Sequence, residues 1–480
     1  MRESQGLRYT AAAVLLFTAA VVRAQCVPVI RTITQPGGFP SLVPGPIASS
    51  GSILGVAKTD TSSGAPAVYF ATYDNNLNPL TADRQVVAAT SNGAAALFWN
   101  GSEFAVFFQS PSFALQFQRV DMSGNLIGPL ISIVNRAWSP NDEFDIAWSP
   151  ARNAYAVART VTEGTERGVY LTVVSATGII LSDTQVELAF FAQPRRPRVL
   201  TLPDGTIGVV WTLNGDILPR VTLWLITPSG TIKSGTVSER NVNASTVATD
   251  GSTILVIFSS ATSTGGTELH YAQFDTNAIQ TKADTSFLIG SGSDIVPSHL
   301  AWNPVLSEWA LTYIDAPFGT ASFARDMRIR RFASVGATAS DTLLSPDPLH
   351  SRLTAPYPIV FVNGAYIASI QRVISRAEGS ESYLVKLCPF FVTATADHPV
   401  WRPFLPVTFT ASTSGGSPGY VFDWQFGDND IARGPVVQHI YQNPGTYTVT
   451  LTAVDAAGAI AITKTTVQIV VGGRQRAVRR

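Results

Sequence analysis

The sequence predicts an all-β chain, a seven-bladed β-propeller followed by a smaller β-sandwich. Three observations predict it. Short apolar hairpins recur about every 52 residues from Cys26 to Pro389. No sustained helical period runs through that stretch, and its apolar runs are bounded by Gly, Asn, Asp and Pro. Beyond residue 390 the recurrence stops and alternating strands of a different kind take over.

The first 24 residues read as an export signal. Arg2 and Arg8 form a basic start, Ala11–Val22 is an apolar core of 12 residues, and Val22-Arg23-Ala24 offers a small-residue cleavage site before Gln25. The core is shorter than the ~20 residues of a membrane span. Cys26 follows Gln25, where a lipoprotein signal wants Gly or Ala. The expectation is a secreted chain (extracellular, periplasmic or cell-surface) with no integral membrane segment after cleavage. Removing residues 1–24 takes away Arg2, Arg8, Arg23 and Glu3 and leaves 456 residues with 30 basic and 32 acidic side chains. A near-neutral surface gives no general reason to bind nucleic acid or anionic lipid. Hydrophobic residues at 45% and charged residues at 14% exclude a disordered chain and a coiled coil.

Residues 25–389 carry the repeats. The hairpin turns fall at Ser50-Gly51, Asn100-Gly101, Arg152-Asn153, Asp204-Gly205, Asp250-Gly251, Leu306-Ser307 and Asn363-Gly364, in steps of 50, 51, 53, 46, 56 and 57. Asn-Gly and Asp-Gly suit two-residue hairpins because both central positions tolerate positive φ. A third apolar strand follows each hairpin, as at Leu115–Val120 before Asp121-Met122-Ser123-Gly124 and Val221–Ile226 before Ser229-Gly230, and a more polar fourth leads onward. The seventh repeat has no fourth strand after Tyr383–Leu387, whereas Val27–Ile33 has no repeat of its own. That run can supply the missing outer strand and close the ring, removing exposed edges. Cys26 and Cys388, the two cysteines of the chain, flank the strands so paired, so a Cys26–Cys388 disulfide is expected in an oxidising compartment.

Trp148-Ser149-Pro150, Trp302-Asn303-Pro304 and Leu202-Pro203-Asp204-Gly205 are similar to the Ser-Pro-Asp-Gly strand ends of TolB-like propellers. No specific propeller family is matched. The Gly-His and Trp-Asp marks of WD repeats and the Gly-Gly doublets of kelch repeats are absent.

Residues 390–471 form a second unit. Phe422-Asp423-Trp424-Gln425-Phe426-Gly427-Asp428-Asn429-Asp430, His439–Leu451 with its Pro444-Gly445 turn, and Val454-Asp455-Ala456-Ala457-Gly458 together resemble a PKD domain, an immunoglobulin-like β-sandwich. Asn429 stands where that family usually has a second Gly, and Asn tolerates the left-handed conformation. The residues agree with the resemblance, since Tyr447, Val449 and Leu451 alternate with threonines and Trp424 and Phe426 fall on a core face. The resemblance implies an accessory role in adhesion, spacing or glycan and protein contact. Residues 472–480, with four arginines, read as a basic tail.

Chemistry-bearing motifs are thin. None of His270, His299, His350, His398 and His439 belongs to an HExxH pair or a close His/Cys cluster, and no GxSxG, P-loop, dinucleotide or Asp-box pattern occurs. Asp60-Thr61-Ser62-Ser63-Gly64 carries one carboxylate, too few for a calcium loop. No metal or cofactor is expected. In a propeller the loops entering each inner strand share one face with those joining strands two and three. Arg136, Arg195, Arg196, Arg240 and Arg352 fall in entering loops, beside Trp138, Phe190, Phe191 and His350. Such a rim suits carboxylated sugars or peptide carboxylates, which arginine grips through two hydrogen bonds. At 28 arginines in 480 residues, about 55 loop residues would hold about three by composition, against the five found. Asn100-Gly101-Ser102 and Asn243-Ala244-Ser245 are glycosylation sequons, and the first sits in a hairpin turn.

The reading is a monomeric, non-catalytic recognition or scaffolding protein that binds an extracellular polysaccharide or surface protein through the propeller loop face. The second expectation is a secreted carbohydrate-active hydrolase or lyase using Glu143, Glu187 and Asp347. The third is a purely structural cell-envelope protein. Propellers host all three.

Overall fold

The computed structural model describes residues 29–33, 45–60, 65–91, 93–133, 143–163, 166–189, 193–214, 220–240, 242–262, 266–289, 293–304, 307–317, 326–332, 340–343, 359–362, 365–375, 379–388, 390–416, 418–456 and 460–471. Its hairpins follow from the turn residues. Gly51, Gly101, Gly205 and Gly251 sit at φ between 84° and 100°, where a Cβ is strained, and Asn153 and Ser307 take the left-handed region at 48° and 51°. The turns after the third strands share a second geometry. Asp74, Asp121 and Asp275 each accept two backbone N–H bonds from the residues two and four positions on. In this Asx-type turn the residue three positions on is left-handed, which is why Gly occupies 124 and why Leu77 and Ala278 hold φ of 63° and 62°.

Between residues 29 and 387 these hairpins assemble into seven four-stranded antiparallel sheets, the blades of a seven-bladed propeller. The innermost strands of blades 1 to 7 are Ile47–Ser49, Ala94–Trp99, Phe144–Ser149, Gln193–Thr201, Val242–Thr249, Ser293–Asn303 and Ile359–Val362. In blades 1 to 6 the chain steps outward strand by strand. Blade 7 takes its fourth strand from the N-terminus, where Val29–Ile33 pairs with Gly379–Leu387 in the register Val29↔Lys386 to Ile33↔Ser382. The predicted strand-exchange closure is therefore present. Cys26 lies outside the described residues.

Seven apolar clusters bind the ring, each spanning two successive blades, and one of them joins blade 7 to blade 1. Strand alternation feeds two clusters from one strand. In the second strand of blade 4, Ile207, Val209, Trp211 and Leu213 pack on blade 3, whereas Val210 packs on blade 5. Trp211 is fully buried in this way. A polar clamp recurs at two interfaces. Asn100, Glu103 and Arg119 of blade 2 gather around Tyr155 of blade 3, and Asn303, Glu308 and Arg331 of blade 6 gather around Tyr366 of blade 7. The Asn100 side chain also caps its hairpin by accepting from the backbone of Ser102 and Glu103. The sequon asparagine is thus committed to the turn.

The C-terminal unit is a sandwich of a three-stranded sheet (Phe391–Ala396, Pro406–Ser414, Val436–Ile440) and a five-stranded sheet (Val400–Trp401, Val421–Gln425, Ile431–Arg433, Gly445–Val454, Ile460–Ile469). Trp424, Phe426, Val449 and Leu451 lie in its core, and Trp424 Nε1 donates to the Gly434 carbonyl at 2.9 Å. Asn429 adopts φ of 76°, the conformation its place in the turn requires.

Candidate functional site

The seven innermost strands enclose a cavity of about 510 Å³ on the ring axis. Its wall follows from the alternation just described. In each blade one residue of the inner strand packs against the preceding blade, as Ile146, Val199, Val247 and Leu300 do in blades 3 to 6. The residue immediately before it is left at one common level of the ring. In blades 3 to 6 that residue is Asp145, Arg198, Thr246 and His299, and all four line the cavity. In blades 1 and 2 the same level holds Pro46 and Ala96, and blade 7 contributes Ile359 and Val360 to the wall. The channel is therefore polar along one arc and apolar along the other.

The polar arc is partly self-satisfied. Val199 N donates to Asp145 Oδ2 at 2.9 Å, which ties blade 4 to blade 3. Arg198 Nε donates to the Ser245 carbonyl at 2.9 Å, which ties blade 4 to blade 5. Burial pushes the Asp145 carboxyl upward, while the Arg198 charge and the amides of Val199 and Ile146 oppose the rise. Burial, helped by the nearby Arg198 charge, holds His299 down at about 4, so its ring is neutral in ordinary buffers. Its Nδ1 is buried and has no hydrogen-bond partner. Groups so placed are rare in folded proteins.

Two of the sequence-predicted arginines precede Arg198 on the same strand. Arg195 and Arg196 lie within the inner strand Gln193–Thr201, not in a loop before it, because pairing with blade 4's second strand begins at Gln193↔Asn214. A bulge between Arg195 and Arg198 breaks that pairing. Arg196 sits there at φ of 52°, and its backbone N–H donates to the Glu143 carboxylate of blade 3. Arg195 is exposed. Arg240 does lie between blades 4 and 5, yet its Nε donates to Asp284 Oδ2 at 2.9 Å on the outermost strand of blade 5, away from the axis. Asp284 is held in turn by Ser238 Oγ and by His270, whose ring lies between Asp284 and Glu268 at 2.6 and 2.9 Å. Arg136, Trp138, His350, Arg352 and Asp347 lie outside the described residues.

Two carboxylates named for catalysis fall on different strands. Glu143 precedes the innermost strand of blade 3 and Glu187 lies on the outermost, near Arg220 at 3.9 Å. Burial raises the Glu187 carboxyl, against the pull of Arg220. With strands ~4.8 Å apart, first and fourth strands are about 14 Å apart, beyond the ~5–9.5 Å separation of glycosidase carboxylates. Among the described residues one group has the spacing to hold a cation: Asp428, Asp430 and His439 of the sandwich. There His439 Nε2 meets Asp428 Oδ2 at 2.7 Å and its ring stacks on Phe426 at 4.1 Å, so the arrangement braces the turn around Asn429. No described helix is long and apolar enough to cross a membrane.

The channel set escaped the motif search because its members differ in type and stand 53, 48 and 53 residues apart. One signal was available. Asp145-Ile146-Ala147-Trp148-Ser149-Pro150 and His299-Leu300-Ala301-Trp302-Asn303-Pro304 align residue for residue, and they place a titratable side chain three positions before each Trp.

Comparison with known proteins adds the following. Residues 393–471 match the PKD domain family. No curated protein matches the chain in sequence. Among solved structures, a puromycin hydrolase S511A mutant is similar at 13% identity and a TM-score of 0.48, over 74% of this chain and 54% of that one. The chain thus spans about half the length of that hydrolase. The β-propeller domain of the Trilobed protease from Pyrococcus furiosus is similar at 10% identity and a TM-score of 0.43, over 71% and 94% of the two chains. The polysaccharide lyase Uly1 is similar at 8% identity and a TM-score of 0.44, over 77% and 94%. At these identities and scores, what those proteins act on carries no argument about this one.

Proposed function

We propose that this is an exported, non-catalytic recognition protein that captures an extracellular glycan or protein at the axial end of its propeller, with the PKD sandwich as spacer or second contact. The observation that carries this reading is the polar arc of Asp145, Arg198, Thr246 and His299 along one side of the channel. A cavity of about 510 Å³ with a few convergent polar groups has the size and character of a small-molecule site. Arg195 and Arg196, three and two positions before Arg198 on the same strand, are proposed as further contacts. The separation of Glu143 from Glu187 speaks against hydrolysis by that pair. A PKD domain at residues 393–471 suits an extracellular setting. A Cys26–Cys388 bridge would staple the strand pair that closes the ring, whose register runs from Val29↔Lys386 to Ile33↔Ser382. Such a bridge would stabilise the fold chiefly by constraining the unfolded chain.

The test incubates the purified chain with neutral and acidic polysaccharides and follows both retention and new reducing ends. Retention without cleavage, weakened in an Arg196→Ala variant, is the expected result. New reducing ends would make the hydrolase or lyase reading the better one. Neither signal would remove the glycan and leave a protein partner or a structural role.

A further inference from the structure

Resting on that recognition reading, we infer that the axial channel binds a neutral, hydroxyl-rich ring, a small saccharide, between the polar arc of blades 3 to 6 and the apolar arc of blades 7, 1 and 2. Charge decides against an acidic ligand here. The arc holds one cation, Arg198, and one carboxyl, Asp145, near enough that the Arg198 charge pulls the Asp145 carboxyl down against its burial. Arg198 already donates to the carbonyls of Ser245 and Pro197, at 2.9 and 3.4 Å. A buried carboxylate would therefore find no uncompensated positive charge to offset its desolvation.

A hydroxyl group fits because it both donates and accepts. Asp145 offers acceptor oxygens, Arg198 donors, and His299 a nitrogen at Nδ1 that the protein itself leaves unpartnered. On the facing wall Ala96 and Val360 present carbon side chains, which suits the C–H face of a pyranose. His299 is also the position where loss of the side chain disturbs the fold least. Its ring nitrogen holds nothing in place, whereas Asp145 and Arg198 each bond a neighbouring blade.

The experiment is isothermal titration of the purified chain with maltotriose, cellotriose, xylotriose and chitotriose as neutral probes and with trigalacturonate as the acidic one. His299→Leu and Thr246→Val are measured beside the wild type. At least one neutral probe is expected to bind, with affinity falling about tenfold in His299→Leu, the worth of one hydrogen bond of about 1.4 kcal/mol. Thr246→Val, which keeps its shape, is expected to weaken binding in the same direction. Tighter binding of trigalacturonate than of every neutral probe overturns the inference, as does wild-type affinity in both variants. If polysaccharides are still retained in that case, the recognition reading stands and the channel assignment falls. Absence of all saccharide binding in the wild type overturns the inference and removes the glycan from the recognition reading, leaving its protein alternative.

Discussion

Acidification should expose the strain of keeping His299 neutral inside the channel. The ring titrates at about 4 in the folded chain against an ordinary 6.5. Above pH 6.5 neither state holds the proton, and the group contributes nothing to the pH dependence. Between 6.5 and about 4 the unfolded chain binds a proton that the native chain refuses, so stability falls as pH falls. At 1.36 kcal/mol per pKa unit the loss reaches up to about 3 kcal/mol and levels off below pH 4. Asp145 acts in the opposite direction, since its raised carboxyl holds its proton longer when folded and gains stability as pH drops. Asp145, His299 and Arg198 are the titratable or charged side chains that face one another in the arc. Denaturant midpoints of wild type and His299→Leu at pH 8, 6, 5 and 4 isolate the histidine, because Asp145 is present in both. The expected result is a gap that shifts in favour of His299→Leu by up to about 3 kcal/mol between pH 8 and pH 4. Parallel pH profiles of the two proteins would refute the reasoning. So would a His299 proton titrating near 6.5 by NMR.

Other consequences follow from the same geometry. Deleting residues 25–33 should strip the outer strand from blade 7, uncover the edge of Gly379–Leu387 and yield an aggregation-prone chain, read by size-exclusion chromatography. Asp121→Ala should cost about 1 kcal/mol in a denaturant titration, because the Asp121 carboxylate accepts from the backbone of Ser123 and Asn125. Trp211→Ala should cost about 3–5 kcal/mol, since the ring fills the interface between blades 3 and 4. Asn429→Ala should lower the melting temperature of the sandwich, while Asn429→Gly should not, because φ of 76° is strained for alanine and free for glycine.

Much of the fold was legible because it is written in turns. Gly51, Gly101, Gly205 and Gly251 mark left-handed corners that few residues can take, and their spacing counted the blades. The orphan run before residue 34 and the short seventh repeat implied each other, and their pairing closes the ring. The sandwich was legible through Trp424, Phe426 and Asn429, whose types the local geometry demands. The site was harder to read because position in the chain does not fix direction in a ring. Arg240 falls between blades as expected, yet Asp284 on an outer strand draws it away from the axis. Arg195 and Arg196 fall inside the inner strand, beside a bulge that no turn residue announces. Asp145, Arg198, Thr246 and His299 converge only after the blades have closed, and pairwise spacing along the chain carries no mark of that convergence.

A crystal structure of the chain grown with the best-binding neutral trisaccharide tests the recognition account most directly. The account predicts a sugar ring in the axial channel, with a hydroxyl within hydrogen-bond distance of His299 Nδ1 and a C–H face against Ala96 and Val360. A saccharide bound on an outer strand or on the sandwich, with water alone at the level of Asp145 and His299, would contradict it.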